Sequence, residues 1–488
     1  MRAETVSPND APSHHVGGRG RAAFTTVAAA LGTVVVVAVS VRHAFVFFTG
    51  GVGIEVWPHQ GHHRDMVLIT VGMVVALVGL LIPGVGSSAP RPSAPSRPAA
   101  IVALVVLTSA LIVDVSKTAT LGFVLPGMRE EYGLSNQYAG MLPVAGLAGT
   151  VLGSLLWGTL VDRLGVRRTL LLSTLGFIST SICGSMPTFE GNLVMCWLMG
   201  LAVGGLMPVV FSALTALVRP SQVPAVGSLI AGIATAGGYL LASQSAALLA
   251  PDYGWRSLWL VGAFTGGLLL LVLPLVPGTC DNAVRSAPDT ALSSLSGHRQ
   301  HRLHTFYGFM AGLMALGVLT WVPTVLRSSG VAGGAWESLL AGQSWVALPV
   351  AVVLALALRH SAPRHCARVL ALGGGIALGL FGLVILTGQQ GWALTVALTA
   401  TVLFSNAMVA SVVPMSSIHY ASSIRGRGLG RIAGASKLGG LVGPLALATL
   451  VGTPAGFFVV SLFVGSGSVV AGIVMGMRQP RRGRVETS

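Results

Sequence analysis

Asp114 and Lys117 stand three residues apart inside a long apolar run, a spacing that puts both on one face of a helix. Asp114 is the only acidic residue well inside any such run. A carboxylate at membrane depth is costly unless it faces protein or a water-filled cavity, so it marks a candidate functional site. Two chemistries suit the pair: Asp114 takes up and releases a proton, or Lys117 attracts an anionic substrate. The alternative is a static ion pair that locks the helix to a neighbour. Polar and aromatic residues at comparable depth are Tyr307, Trp321, Gln343, Trp345 and Asn406, with Tyr239 and Gln244 weaker. Singly, each is better explained by helix packing or interfacial anchoring; as a set they could line a substrate cavity. His59-Gln60-Gly61-His62-His63 has the spacing of one histidine box. Membrane di-iron chemistry needs several, so a solvated loop and no metal site is expected. Gly373 to Gly379 matches a phosphate-cradling pattern only loosely and reads as helix packing. With no nucleophile triad, histidine set or cofactor motif, neither an enzyme nor a cofactor is expected.

The elements that must position these residues are membrane helices. Of 488 residues, 53% are hydrophobic and 9% charged, against roughly 25% charged in a soluble domain. The apolar runs are continuous and long, which disfavours a β-barrel. Two spans, 22–41 and 66–83, form an N-terminal hairpin within residues 1–86. A Pro/Ser-rich linker over 87–99 follows, too polar and proline-dense to pack. Twelve further spans are expected. Six lie in 100–276 and six in 304–477, separated by a polar loop over 277–303, with a basic tail over 478–488. The expected fold is therefore an all-α polytopic membrane protein of about fourteen spans.

Charge sets its orientation. The net charge is +15, and 27 of the 29 basic residues are arginines. With this topology 22 arginines are cytoplasmic, and Arg42, Arg64, Arg129, Arg256 and Arg327 lie outside. This is the positive-inside asymmetry, with both termini cytoplasmic in the plasma membrane; no nucleic-acid partner is needed to explain it. Cys183, Cys196, Cys280 and Cys366 imply no disulfide framework. The first apolar run reads as a retained span, not a cleaved signal.

Between the second and third core spans the chain reads G-T-L-V-D-R-L-G-V-R-R, residues 158–168. It supplies Gly158, Asp162, Arg163, Gly165, Arg167 and Arg168. This resembles the loop between helices 2 and 3 of the major facilitator superfamily, departing only at Val166. Y-G-L-S (132–135), G-W-R (254–256), T-W-V-P (320–323), Y-A-S-S-I-R-G-R-G (420–428) and the glycines 439, 440 and 443 before Pro444 add to it. These motifs are closest to metabolite:proton symporters of the aromatic-acid and sugar-porter-like kinds. The resemblance covers about residues 100–478. It implies two six-helix bundles plus the extra hairpin, rocking around a central site, with the first core helix lining the cavity. It implies that Asp162 meets the start of core helix 11, that Arg167 and Arg168 add contacts in one state, and that Arg425 and Lys437 support the cytoplasmic gate. Several family charges are absent: the helix-4 arginine, the acidic residue after helix 4, the aspartate of the second-half loop 357–368, and P-E-S-P-R after helix 6. Those losses weigh against a sugar porter.

The function expected from all this is secondary transport of a small polar metabolite, such as an organic anion, by alternating access with proton symport. The partners are then the substrate, the proton and the bilayer. Two alternatives stand beside it: proton-driven efflux of a drug-like compound, and a non-transporting sensor or assembly partner on the same fold. The helix-5 segment A-G-I-A-T-A-G-G-Y lacks the full drug-antiporter pattern, which lowers efflux.

Overall fold

The computed structural model describes residues 16–49, 61–81, 96–181, 186, 188–278, 295–322, 325–326, 335–447, 450 and 453–476. No strand occurs among them. Lipid offers backbone groups no hydrogen-bond partner, so each crossing segment closes its own ladder as a helix. Two helices come first, α1 (Val16–Thr49) and α2 (Gly61–Leu81). The first bundle holds α3 (Arg97–Glu131), α4 (Met141–Leu164), α5 (Val166–Ser179), α6 (Phe189–Val203) continuing into α7 (Leu206–Leu217), α8 (Val223–Tyr253) and α9 (Ser257–Val272). The second holds α10 (Leu295–Gly312), α11 (Ala335–His360), α12 (Pro363–Leu386), α13 (Trp392–Ser417), α14 (Arg425–Leu447) and α15 (Pro454–Gly476). The expected spans overlap these helices, 192–217 being shared between α6 and α7 and 304–326 running from α10 into the turns that follow it. Ten stretches are long and apolar enough on their own to cross a membrane among the described residues. The fold is all-α and polytopic, with two six-helix bundles and the added hairpin.

The hairpin packs its two helices together and leans on α5 and α9 of the first bundle. The bundles meet where α4 and α7 touch α14, and where α8 touches α11 and α13. Within the second bundle α10 passes into a π-helical turn, Leu313–Val318, and a 3-10 turn, Leu319–Trp321. Such mid-helix departures are frequent at functional sites. Val106, Leu107, Phe211 and Leu214 from the first bundle share one buried cluster with Met408, Val412 and Ile432 from the second.

Candidate functional site

At one end of the molecule the charged turn joins the two bundles. Gly165 closes α4 and opens α5 with φ at +86°, a conformation that a residue with a Cβ rarely adopts. That reversal leaves Asp162 in the last turn of α4, with its side chain only 4% exposed. Its two carboxylate oxygens accept the backbone N–H groups of Gly426 at 2.8 Å and Arg427 at 2.9 Å. A carboxylate from one bundle thus caps the first turn of α14 in the other, where orphan donors and the helix dipole favour an anion. Arg427 adds an ion pair, its Nε lying 3.5 Å from Asp162. Close approach makes this reach possible: a Cβ on Gly158 would lie 2.5 Å from the Gly426 carbonyl oxygen.

Arg425 ties the neighbouring loop. It donates to the carbonyls of Ser417 (3.2 Å) and Tyr420 (3.1 Å) and to Thr215 Oγ1 (2.5 Å) on α7. Arg167 donates to the Pro274 carbonyl of its own bundle at 3.1 Å. Arg163 is exposed and Arg168 half-buried.

Midway along the helices, Asp114 and Lys117 part company, which corrects their reading as a pair. Residues three apart differ by roughly 60° around a helix. On α3 that angle suffices to separate them, since Lys117 alone of the two makes hydrogen bonds to Trp259 and Ser181. Lys117 points into the first bundle, 2% exposed. It donates to the Trp259 carbonyl at 3.0 Å and to Ser181 Oγ at 3.3 Å, with the rings of Trp259 and Phe177 at 5.1 and 5.2 Å. Asp114, the middle residue of α3, is only half-buried. The charge that acts on it belongs to Lys437, near the middle of α14 in the opposite bundle. Lys437 is half-buried too, and no direct ion pair joins the two. The resemblance put Lys437 with the gate; its charge also reaches Asp114.

The other cavity candidates scatter. Tyr307 is fully buried in the packing of the second bundle. Trp321 lies in the 3-10 turn, packed against the same cluster. Asn406 is exposed on α13 and borders a small void of about 30 Å³ with Thr235 of α8 and Val350 of α11. Gln343 and Trp345 fall on the backbone of α11, and their side chains lie outside the described residues.

The family model described as Major Facilitator Superfamily matches residues 106–417, more than half of the chain. The chain belongs to the major facilitator superfamily. It resembles rat synaptic vesicle glycoprotein 2A at 33% identity over 156 residues, 31% of this chain and 20% of that protein. It resembles the 4-hydroxybenzoate transporter PcaK of Pseudomonas putida at 34% over 176 residues, 35% of this chain and 38% of that protein. It therefore spans well under half the length of either relative. Among solved structures, the proton:xylose symporter XylE aligns with a TM-score of 0.62 at 17% identity, covering 78% of this chain and 95% of that one. The human organic anion transporter MFSD10 aligns at 0.59 and 18% identity, covering 77% and 99%. At those identities the structures establish the fold, a transporter fold in a multi-pass membrane protein.

In this superfamily member, sequence reasoning missed two charged clusters at the end opposite Asp162. Glu131 of α3 is paired with Arg256 and accepts Trp255 Nε1 at 2.8 Å, so the G-W-R segment ties α9 to α3. Asp65 is buried between Arg42 and His43 of α1, with His43 Nδ1 at 3.0 Å. The expected span began at Met66, so Asp65 read as loop; α2 begins earlier, at Gly61.

Proposed function

We propose that this major facilitator protein is a proton-coupled symporter of a small organic anion. It would work by alternating access in the plasma membrane with both termini cytoplasmic. The observation that carries the reading is the placement of Asp114 and Lys437, one per bundle, at mid-helix and half-buried. A cation there attracts a substrate carboxylate. The Asp114 charge competes with that substrate for Lys437. Protonation of Asp114 removes the competitor, so substrate and proton bind together. Loss of the proton restores it and expels the substrate. Charges about 4–8 Å apart at an effective permittivity of about 20 attract by roughly 2–4 kcal/mol, ample for a tenfold change in affinity. PcaK, named for 4-hydroxybenzoate, supports an aromatic acid as the first substrate to try, and XylE, titled a proton:xylose symporter, supports the proton as the coupling ion.

The test is uptake of radiolabelled 4-hydroxybenzoate and related acids into proteoliposomes. Accumulation driven by an acidic exterior supports symport. Accumulation only with the gradient reversed would assign efflux, and no counterflow of any acid would favour a sensor.

A further inference from the structure

A cavity of about 330 Å³ lies in the second bundle, at the same end as Asp162, with its described lining drawn wholly from that bundle. The start of α10, the α11–α12 turn, the end of α13 and the end of α15 enclose it. Arg299, Arg364 and His419 stand exposed at its rim, while Met415 lies buried in its lining. His304 also lines it, only 5% exposed, and its Nδ1 has no hydrogen-bond partner. The imidazoles of His304 and His419 meet edge to face at 5.0 Å. α12 opens here over its 24 residues, and Ala362 at its N-cap brings no side-chain acceptor to the first turn. The described lining contains no carboxylate. From residue 290 to 485 the sequence has one acidic residue, Glu337, near the far end of α11.

Two guanidinium groups and an unpartnered buried imidazole ask for the same ligand, an anion rich in acceptor oxygens; at the start of α12 only the Arg364 N–H adds to them, since Pro363 has none and His365 and Cys366 donate to the Ala362 carbonyl. We propose that this cavity is a phosphoryl-binding site, separate from the transport pathway. A phosphate group can come from an anionic lipid headgroup or from a free phosphate compound, and both present the same oxygens to Arg299, His304 and Arg364.

Isothermal titration calorimetry on the purified, delipidated full chain tests this. The probes are inorganic phosphate, dihexanoyl phosphatidic acid and, as a zwitterionic control, dihexanoyl phosphatidylcholine. Saturable binding of phosphatidic acid but not phosphate assigns a lipid headgroup; binding of both assigns a free phosphoryl compound. Either must weaken at least about tenfold in Arg299→Gln/Arg364→Gln, where two charge-assisted contacts are lost. It must stay unchanged in Arg359→Gln, an exposed arginine at the end of α11 that does not line the cavity. If the double variant unfolds, His304→Gln serves instead and must weaken binding severalfold. Absence of saturable binding by either probe, or an equal loss in Arg359→Gln, would overturn the site.

Discussion

Asp162 of the first bundle accepts the backbone N–H of Gly426 in the second at 2.8 Å, and so caps a helix to which it is not joined. Under the proposed alternating access this contact would have to break when the bundles part at this end, and so would weight the balance between conformations.

Asp162→Asn keeps an acceptor but loses the charge. A hydrogen bond to a charged group contributes roughly 1.5–3 kcal/mol; losing part of that should slow turnover about tenfold. Membrane expression should be nearly unchanged and substrate affinity should shift less than turnover. Counterflow rates with quantified expression check this. Equal turnover in mutant and wild type would remove Asp162 from gating.

Gly158→Ala should act on the same contact by volume. The added methyl meets the Gly426 carbonyl oxygen, so the α4–α14 approach must widen. Val161 is fully buried there. A cysteine at 161, in a background lacking the native cysteines, should resist alkylation with Gly158 and react once Gly158 is replaced. Unchanged reactivity would show that the helices part without help.

The residues of this contact were legible in the sequence because the turn is local: Gly158, Asp162 and Gly165 lie within eight positions. So was the exceptional depth of Asp114. Its counterpart was not. Spacing along α3 offers Lys117, whereas Lys437 comes from a helix more than three hundred residues later. Only tertiary packing chooses between them. The His304–His419 contact was hidden for the same reason, one member lying on α10 and the other in the turn after α13 with no shared motif.

Lys117 should matter for stability more than for coupling. Lys117→Ala leaves the Trp259 carbonyl without this donor, at a cost of roughly 1–3 kcal/mol. Lys117→Met restores volume but not the donor. Both should unfold at lower temperature while keeping wild-type substrate affinity. A large loss of affinity at normal stability would return Lys117 to the substrate site.

Topology has a separate test. Cysteines placed singly at Ser7, His62, Ser296 and Thr487 can be probed with an impermeant thiol reagent. Only the one at 62 should label in intact cells, and all four after lysis. Labelling at 296 without lysis would contradict the orientation.

The central claim is that Asp114 carries the coupled proton while Lys437 holds the anion. The measurement is substrate uptake by Asp114→Asn vesicles with and without an imposed pH gradient, beside Lys437→Ala. Asp114→Asn mimics the protonated state, in which Lys437 is released to the substrate. It should retain downhill exchange and lose gradient-driven accumulation, while Lys437→Ala should lose both. Full accumulation by Asp114→Asn under the gradient would contradict the account.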